Sequence, residues 1–162
     1  MRTFKKALLI LCCVLLVTAA FASCGTEINS EPPEELAKAV KEKLDSDIVW
    51  TELTPDKVAV YFGFSGESAR ESAVYINDSD EHLDTVAFFD FETKEKKSEA
   101  ITELNASLTK AAENFKSVNE NETAKIQKRL IYESENRLCL VITATPEAII
   151  ELLTEKGFSP IK

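Results

Sequence analysis

Residues 85–118 read TVAFFDFETKEKKSEAITELNASLTKAAENFKSV, and this stretch decides the fold class. Its opening, Thr85 to Phe91, is rich in aromatic and apolar residues and short enough to be a strand. From Lys94 the pattern changes. Ile101, Leu104, Leu108, Ala111, Phe115 and Val118 recur at spacings of 3, 4, 3, 4 and 3, with Lys and Glu between them. That spacing predicts one long helix over 94–118 with an apolar stripe on one side, and Thr93 as its N-cap. Such a helix is marginal in water unless the stripe is covered. A strand next to it supplies the cover, so the chain reads as α+β, helices packed on a sheet.

Upstream, Arg70 to Ile76 reads as a second strand, joined to the first by the acidic turn 77–82. Together they predict an antiparallel hairpin. Downstream, Ile126 to Tyr132 and Leu138 to Thr143 predict a second hairpin. Its second strand is almost wholly apolar, so it is expected to be central. The first carries Lys125, Gln127, Lys128 and Arg129 and reads as edge-like. Three further helices are expected. Glu34 to Leu44 has Leu36, Ala37, Val40 and Leu44 on one face. Thr54-Pro55-Asp56 carries a cap, a proline and an acid, and starts a helix that runs to Gly63. Thr145-Pro146-Glu147 repeats that signal before a last helix, 148–156, ended by Gly157. The expected order is α-α-β-β-α-β-β-α around a four-stranded antiparallel sheet made of two hairpins. The segment Ile48-Val49-Trp50 is apolar but short.

The first residues read as an address. Arg2, Lys5 and Lys6 precede an apolar run from Ala7 to Ala22, and the run ends in Phe21-Ala22-Ser23-Cys24. A basic start and a short apolar run are the layout of a secretory signal. The end resembles the lipobox of bacterial lipoproteins, with Phe21 where an aliphatic residue is usual. The resemblance implies lipidation of Cys24 and removal of residues 1–23. A plain signal-peptidase site at Ala20-Phe21-Ala22 and an uncleaved anchor are the competing readings. The expected division is a signal over 1–23, a lipid-anchored tether over 24–33 and one α+β domain over 34–162, on the membrane's extracytoplasmic side.

The 162 residues carry 19 basic and 28 acidic side chains, a formal charge of −9. The signal holds three of the basic residues and no acid, so the chain from Cys24 carries 16 − 28 = −12. Nucleic-acid binding needs a basic footprint, and this charge excludes it. An acidic body is repelled by anionic headgroups, so it is expected to hang from its lipid and not lie on the membrane. Of the four cysteines, Cys12 and Cys13 belong to the signal and Cys24 to the lipid site. That leaves Cys139, in an apolar strand, as a buried and unreactive thiol.

Beyond the hairpins, the chain resembles a family of bacterial lipoproteins defined only as a domain of unknown function, DUF4358, from clostridia-like Gram-positive bacteria. The resemblance covers Leu36 to Phe158. It rests on Ala59-Val60-Tyr61-Phe62-Gly63-Phe64, on Asp84 to Phe89 leading into the long charged helix, and on the Tyr132 to Ile142 hairpin. These are packing features. The resemblance implies surface location and an α+β layout, and it brings no site residues.

Few residues suggest chemistry. Asp78, Asp80 and Asp84 crowd one turn, and hard oxygen ligands so close are weak candidates for Ca²⁺ or Mg²⁺. The turn lacks the glycine and the distant glutamate of an EF-hand loop. His82 is the only histidine, too few for a histidine-based zinc site. Gly63-Phe64-Ser65-Gly66 falls short of a nucleophile elbow, because the serine follows a helix instead of a strand. Asp90 interrupts an aromatic run and is expected at a strand end facing solvent. Lys125, Lys128, Arg129 and Arg137 fall on one predicted hairpin and are considered as a patch for an acidic polymer. No compact catalytic motif is present. The expected function is therefore a non-enzymatic surface lipoprotein without cofactor, which contacts the membrane through Cys24 and binds an envelope protein or ligand. The alternative is a small envelope enzyme, or a protein that binds a divalent cation or solute.

Overall fold

A computed structural model describes residues 30–44, 46–79 and 81–161. The expectations for the signal, for Cys24 and for Asp80 lie outside the described residues. In chain order the elements are α1 (Pro33–Lys41), β1 (Trp50–Glu52), α2 (Pro55–Phe62), a 3₁₀ turn (Gly66–Ser68), β2 (Glu71–Asn77) and β3 (Thr85–Asp90). Then follow α3 (Lys94–Phe115), α4 (Glu120–Gln127), β4 (Leu130–Ser134), β5 (Arg137–Ile142), α5 (Glu147–Glu155) and β6 (Ser159–Pro160). The six strands form one sheet in the order β1-β2-β3-β5-β4-β6. Every neighbouring pair is antiparallel.

The fold is α+β with an antiparallel sheet, as the sequence predicts, but the sheet has six strands and not four. β1 and β6 are three and two residues long, too short to leave a period in the sequence, and β6 ends in a proline that only an edge strand tolerates. The second correction concerns Ile126 to Tyr132. Its first part is the end of α4, and the strand begins only at Leu130. Asn119 caps that helix by accepting from the Glu122 amide at 3.3 Å, a cap-and-acid pattern visible in the sequence. Ile126 and Ile131 therefore lie on different elements although both pack in one core.

Helices cover both faces of the sheet. On one face Val86, Phe88, Cys139 and Val141 meet Leu36 and Val40 of α1 and Ile149 and Leu153 of α5. On the other, Ala87, Phe89, Leu138 and Leu140 meet Val58 and Phe62 of α2, Leu104 and Leu108 of α3 and Ile126 of α4. Alternate residues of each strand supply the two cores, which is why β3 is buried along its whole length. Both cores are assembled from residues 36–161 among those described, which is what a self-contained folding unit needs. Tyr75 ties α1 to the sheet. Its hydroxyl donates to Glu34 at 2.7 Å, and the Lys41 ammonium sits 3.1 Å from the ring centroid.

The long helix matches its predicted start, with the Thr93 hydroxyl accepting from the Lys96 amide at 3.3 Å. Its apolar stripe outruns the sheet: Leu104 and Leu108 are buried, Ala111 and Phe115 half-buried, and Val118, past the helix end, is 79% exposed. The Thr54 hydroxyl makes no bond to the α2 backbone, and Pro146, not Thr145, precedes the first residue of α5. Asp90 is also corrected. It is buried at the end of β3, with its carboxylate 2.6 Å from Arg70 and 3.7 Å from Arg137. A strand-end acid stays in the interior here because two guanidinium groups close over it. Cys139 is fully buried, and burial pushes its thiol well above the ordinary value, so the thiolate needed for reaction is suppressed.

Candidate functional site

The sheet has two ends with different characters. At one end, where β2 and β5 begin, the incoming chain is pinned. Arg137 donates to the Glu31 carbonyl at 2.8 Å, and Lys156 reaches the Glu31 carboxylate at 2.6 Å. Pro32 and Pro33 lie beside Glu67 and Arg70 in a shallow hollow at this end. At the other end, where β2 and β5 finish, two concavities open. One has a volume of about 530 Å³ and is lined by Asp47, Val49, Asp78, Asp84, Lys125 and Thr145, among others. The second, of about 500 Å³, lies between α2, the upper half of α3 and the β2–β3 hairpin. Asn77, Ser79, His82 and Asp84 line both.

The wall they share is built by hydrogen bonds within the 77–84 turn. The Asn77 side-chain oxygen accepts from the Ser79 amide at 3.0 Å, an arrangement that short polar side chains favour in turns. The Asn77 amide closes the hairpin on the Asp84 carbonyl at 2.9 Å, and the Asp78 amide reaches back to the Val49 carbonyl at 2.8 Å. Behind the wall stands α4. Lys125 holds Asp84 and Glu122 together, with its ammonium 2.9 Å from each carboxylate. Glu122 also accepts from the Leu83 amide at 2.8 Å and lies 3.3 Å from His82 Nδ1. Glu122, Asp84 and Lys125 have side chains only 3%, 7% and 14% exposed, so this is a buried charged cluster with two acids on one cation.

The cluster perturbs its members. Burial pushes the Glu122 carboxyl up, but hydrogen bonds from Lys125, the Leu83 amide and His82 outweigh it and hold the group below its ordinary value. Burial likewise pushes the Lys125 ammonium down, and Glu122 and Asp84 outweigh it and hold it above its ordinary value.

The residues singled out by sequence fare differently. Asp78 accepts from the Thr51 hydroxyl at 2.5 Å, whereas Asp84 is turned inward to Lys125. Among the described residues no three His, Cys, Asp or Glu side chains come together as a metal ion needs. Ser65 accepts from the Glu67 amide at 3.3 Å in the segment before β2, while His82 lies past the far end of that strand, so the two do not meet. The basic residues read as one patch are dispersed. Lys125 is spent on the buried cluster, Arg129 bonds Asn105 and the Ile126 carbonyl, and Arg137 serves Asp90 and Glu31. That expectation rested on placing all four on one hairpin, and Lys125 is on α4 instead. Glu122 and the groove beside α3 escaped the sequence reading. The available signal was the helix α4 itself, which brings an i, i+3 acid–base pair to face the turn.

No family model, curated protein or solved structure matches the chain. No described helix is long and apolar enough to cross a membrane.

Proposed function

We propose that this chain is a lipid-anchored binding module of the bacterial cell envelope, held through Cys24 and presenting its concave end away from the membrane. The basic start, the apolar run and the lipobox-like Phe21-Ala22-Ser23-Cys24 support the anchor. One observation carries the orientation: Glu31 is fixed at the end of the sheet opposite both concavities. Six residues lie between Cys24 and Glu31, and the seven steps reach about 25 Å at most. The pinned end therefore stays near the bilayer, and the far end stands off by a further strand length, about 20 Å for six residues. The formal charge of −12 from Cys24 onward favours the same posture, because anionic headgroups repel it. The reading is binding and not catalysis, since the far end offers concave surface and a structural ion cluster, and its histidine is held by Glu122.

The anchor is tested by growing cells with a labelled fatty acid. The native chain incorporates label, and Cys24→Ala does not. Label retained by the Cys24→Ala chain contradicts the anchor.

A further inference from the structure

The two edges of the sheet are not alike. In an antiparallel ladder, alternate residues of a strand turn their N–H and C=O toward the neighbour. At β6 the Ile161 amide donates to the Ile131 carbonyl at 3.0 Å, so Pro160 is turned outward and presents no N–H. That edge is closed to a further strand. At the other edge, pairing with β2 runs past both ends of β1. The Asp78 amide donates to the Val49 carbonyl at 2.8 Å, and the Leu53 amide to the Val74 carbonyl at 2.8 Å. The same alternation turns the N–H and C=O of Trp50 and Glu52 outward, and no described residue pairs with them. Glu52 is exposed, and so is Val49 beside it. An edge with its donors and acceptors intact is a template for one more strand.

Charge decides which strand it takes. Asp78 pairs with Val49 where this edge reaches the concave end, and both line the first concavity. Its carboxylate accepts from the Thr51 hydroxyl at 2.5 Å, a neutral partner that leaves the charge in place. Beside it, Asp84 and Glu122 share the one ammonium of Lys125, which leaves a further negative charge while His82 is neutral. Glu52 stands on the edge itself and makes no ion pair among the described residues, since Lys41 across the ladder is seated on the Tyr75 ring. A second copy of the chain is a poor fit, because it brings the same carboxylates to the shared edge. We propose that β1 takes up an extended, basic peptide of a partner protein as a further strand, with a lysine or arginine directed at Asp78. Asp78 lies two strand spacings from the added strand, about 10 Å, a gap that a long basic side chain and an aspartate close between them. The inference rests on the binding-module reading and gives the chemistry of the partner, but it does not need the lipid at Cys24.

Residues 24–162 carrying Cys24→Ser contain both cores and suit the test. The probes are three end-blocked peptides: TKVKVT, its acidic counterpart TEVEVT, and TKVKVT with every backbone nitrogen methylated. The last keeps the side chains and the charge and removes the ladder donors. Trp50 is the only tryptophan, so its fluorescence reports occupancy, and the exchange rates of the Trp50 and Glu52 amide protons report pairing. At pH 8 and low salt, TKVKVT is expected to bind saturably, to slow both amides, and to bind about tenfold more tightly than TEVEVT or the methylated peptide. Glu52→Pro removes an outward donor and Glu52→Gln keeps it, so the first is expected to bind TKVKVT about tenfold more weakly than the second. If Glu52→Pro does not fold, the methylated peptide on the unaltered edge decides. Equal or tighter binding of TEVEVT, binding kept by the methylated peptide, equal affinity in a folded Glu52→Pro and Glu52→Gln, or no saturable binding overturns the inference. So does slow exchange of both amides without peptide in a sample that sediments as a dimer, which assigns the edge to a second copy. None of these outcomes alters the fatty-acid labelling of Cys24, so failure here and failure of the anchor are told apart.

Discussion

Phe89→Ala is expected to cost the fold about 3–5 kcal/mol, the usual range for emptying an aromatic site in a core. Phe89 is 1% exposed at the centre of the core between the sheet and α2 and α3. Its ring stands edge-on to Phe62 and Phe64, at centroid distances of 6.4 and 5.0 Å, and tilted against Phe91 at 6.2 Å. Removing it leaves three aromatic neighbours on a void that the paired strands β2 and β5 cannot close, since β3 is hydrogen-bonded between them. Urea unfolding of the wild-type and variant domains measures the loss. A difference under 1 kcal/mol contradicts the placement of this core.

Lys125→Met is the second large effect. Methionine keeps much of the length and volume but leaves Asp84 and Glu122 buried without their cation. Breaking a buried pair from one side strands the remaining charges, and a loss of about 3 kcal/mol at neutral pH is expected. The sign of the pH dependence follows from the shifts. Glu122 lies below its ordinary value of 4.5 in the folded chain, so its stabilising contribution is complete above that value. It is lost as the pH falls through the lower folded value. Lys125 lies above its ordinary 10.5, so its contribution is present below that value and lost as the pH rises through the folded one. In Lys125→Met the stranded Glu122 carboxylate escapes its penalty by taking up a proton, so the deficit against wild type shrinks as the solution is acidified toward pH 4. Denaturant midpoints at pH 7 and pH 4 measure this. A deficit that is the same at both values contradicts the buried-cluster account.

These two sites differ in how far the sequence discloses them. Phe89 is legible because strand and helix periods are local properties: Thr85 to Phe91 and the 101–118 stripe announce what must be covered and what covers it. The edge strands are not legible, because two or three residues pair only by virtue of a neighbour already in place. Ile126 to Tyr132 misleads for a related reason. Apolar residues five apart fit a strand as readily as a helix end followed by a strand, and only the Asn119 cap separates the two. The candidate site is the least legible. Asp84 and His82 are conspicuous in the sequence, but their partners Glu122 and Lys125 come from a helix some 40 residues away, and the charge of the concave end depends on which charges those partners cancel. Asp90 shows the same limit from the other side, since its burial is set by Arg70 and Arg137 and not by its own strand.

The account's central claim is that the concave end faces away from the membrane, and energy transfer to a bilayer dye tests it most directly. Val49→Cys places a thiol at the concave end, where Val49 is 65% exposed, and Glu67→Cys places one beside Pro32 at the pinned end. Cys139 is buried and Cys24 carries the lipid in this account, so each introduced thiol takes a donor dye alone. In vesicles with an acceptor-labelled lipid, stronger transfer is expected from position 67 than from position 49. Equal transfer from the two positions, or stronger transfer from position 49, contradicts the claim.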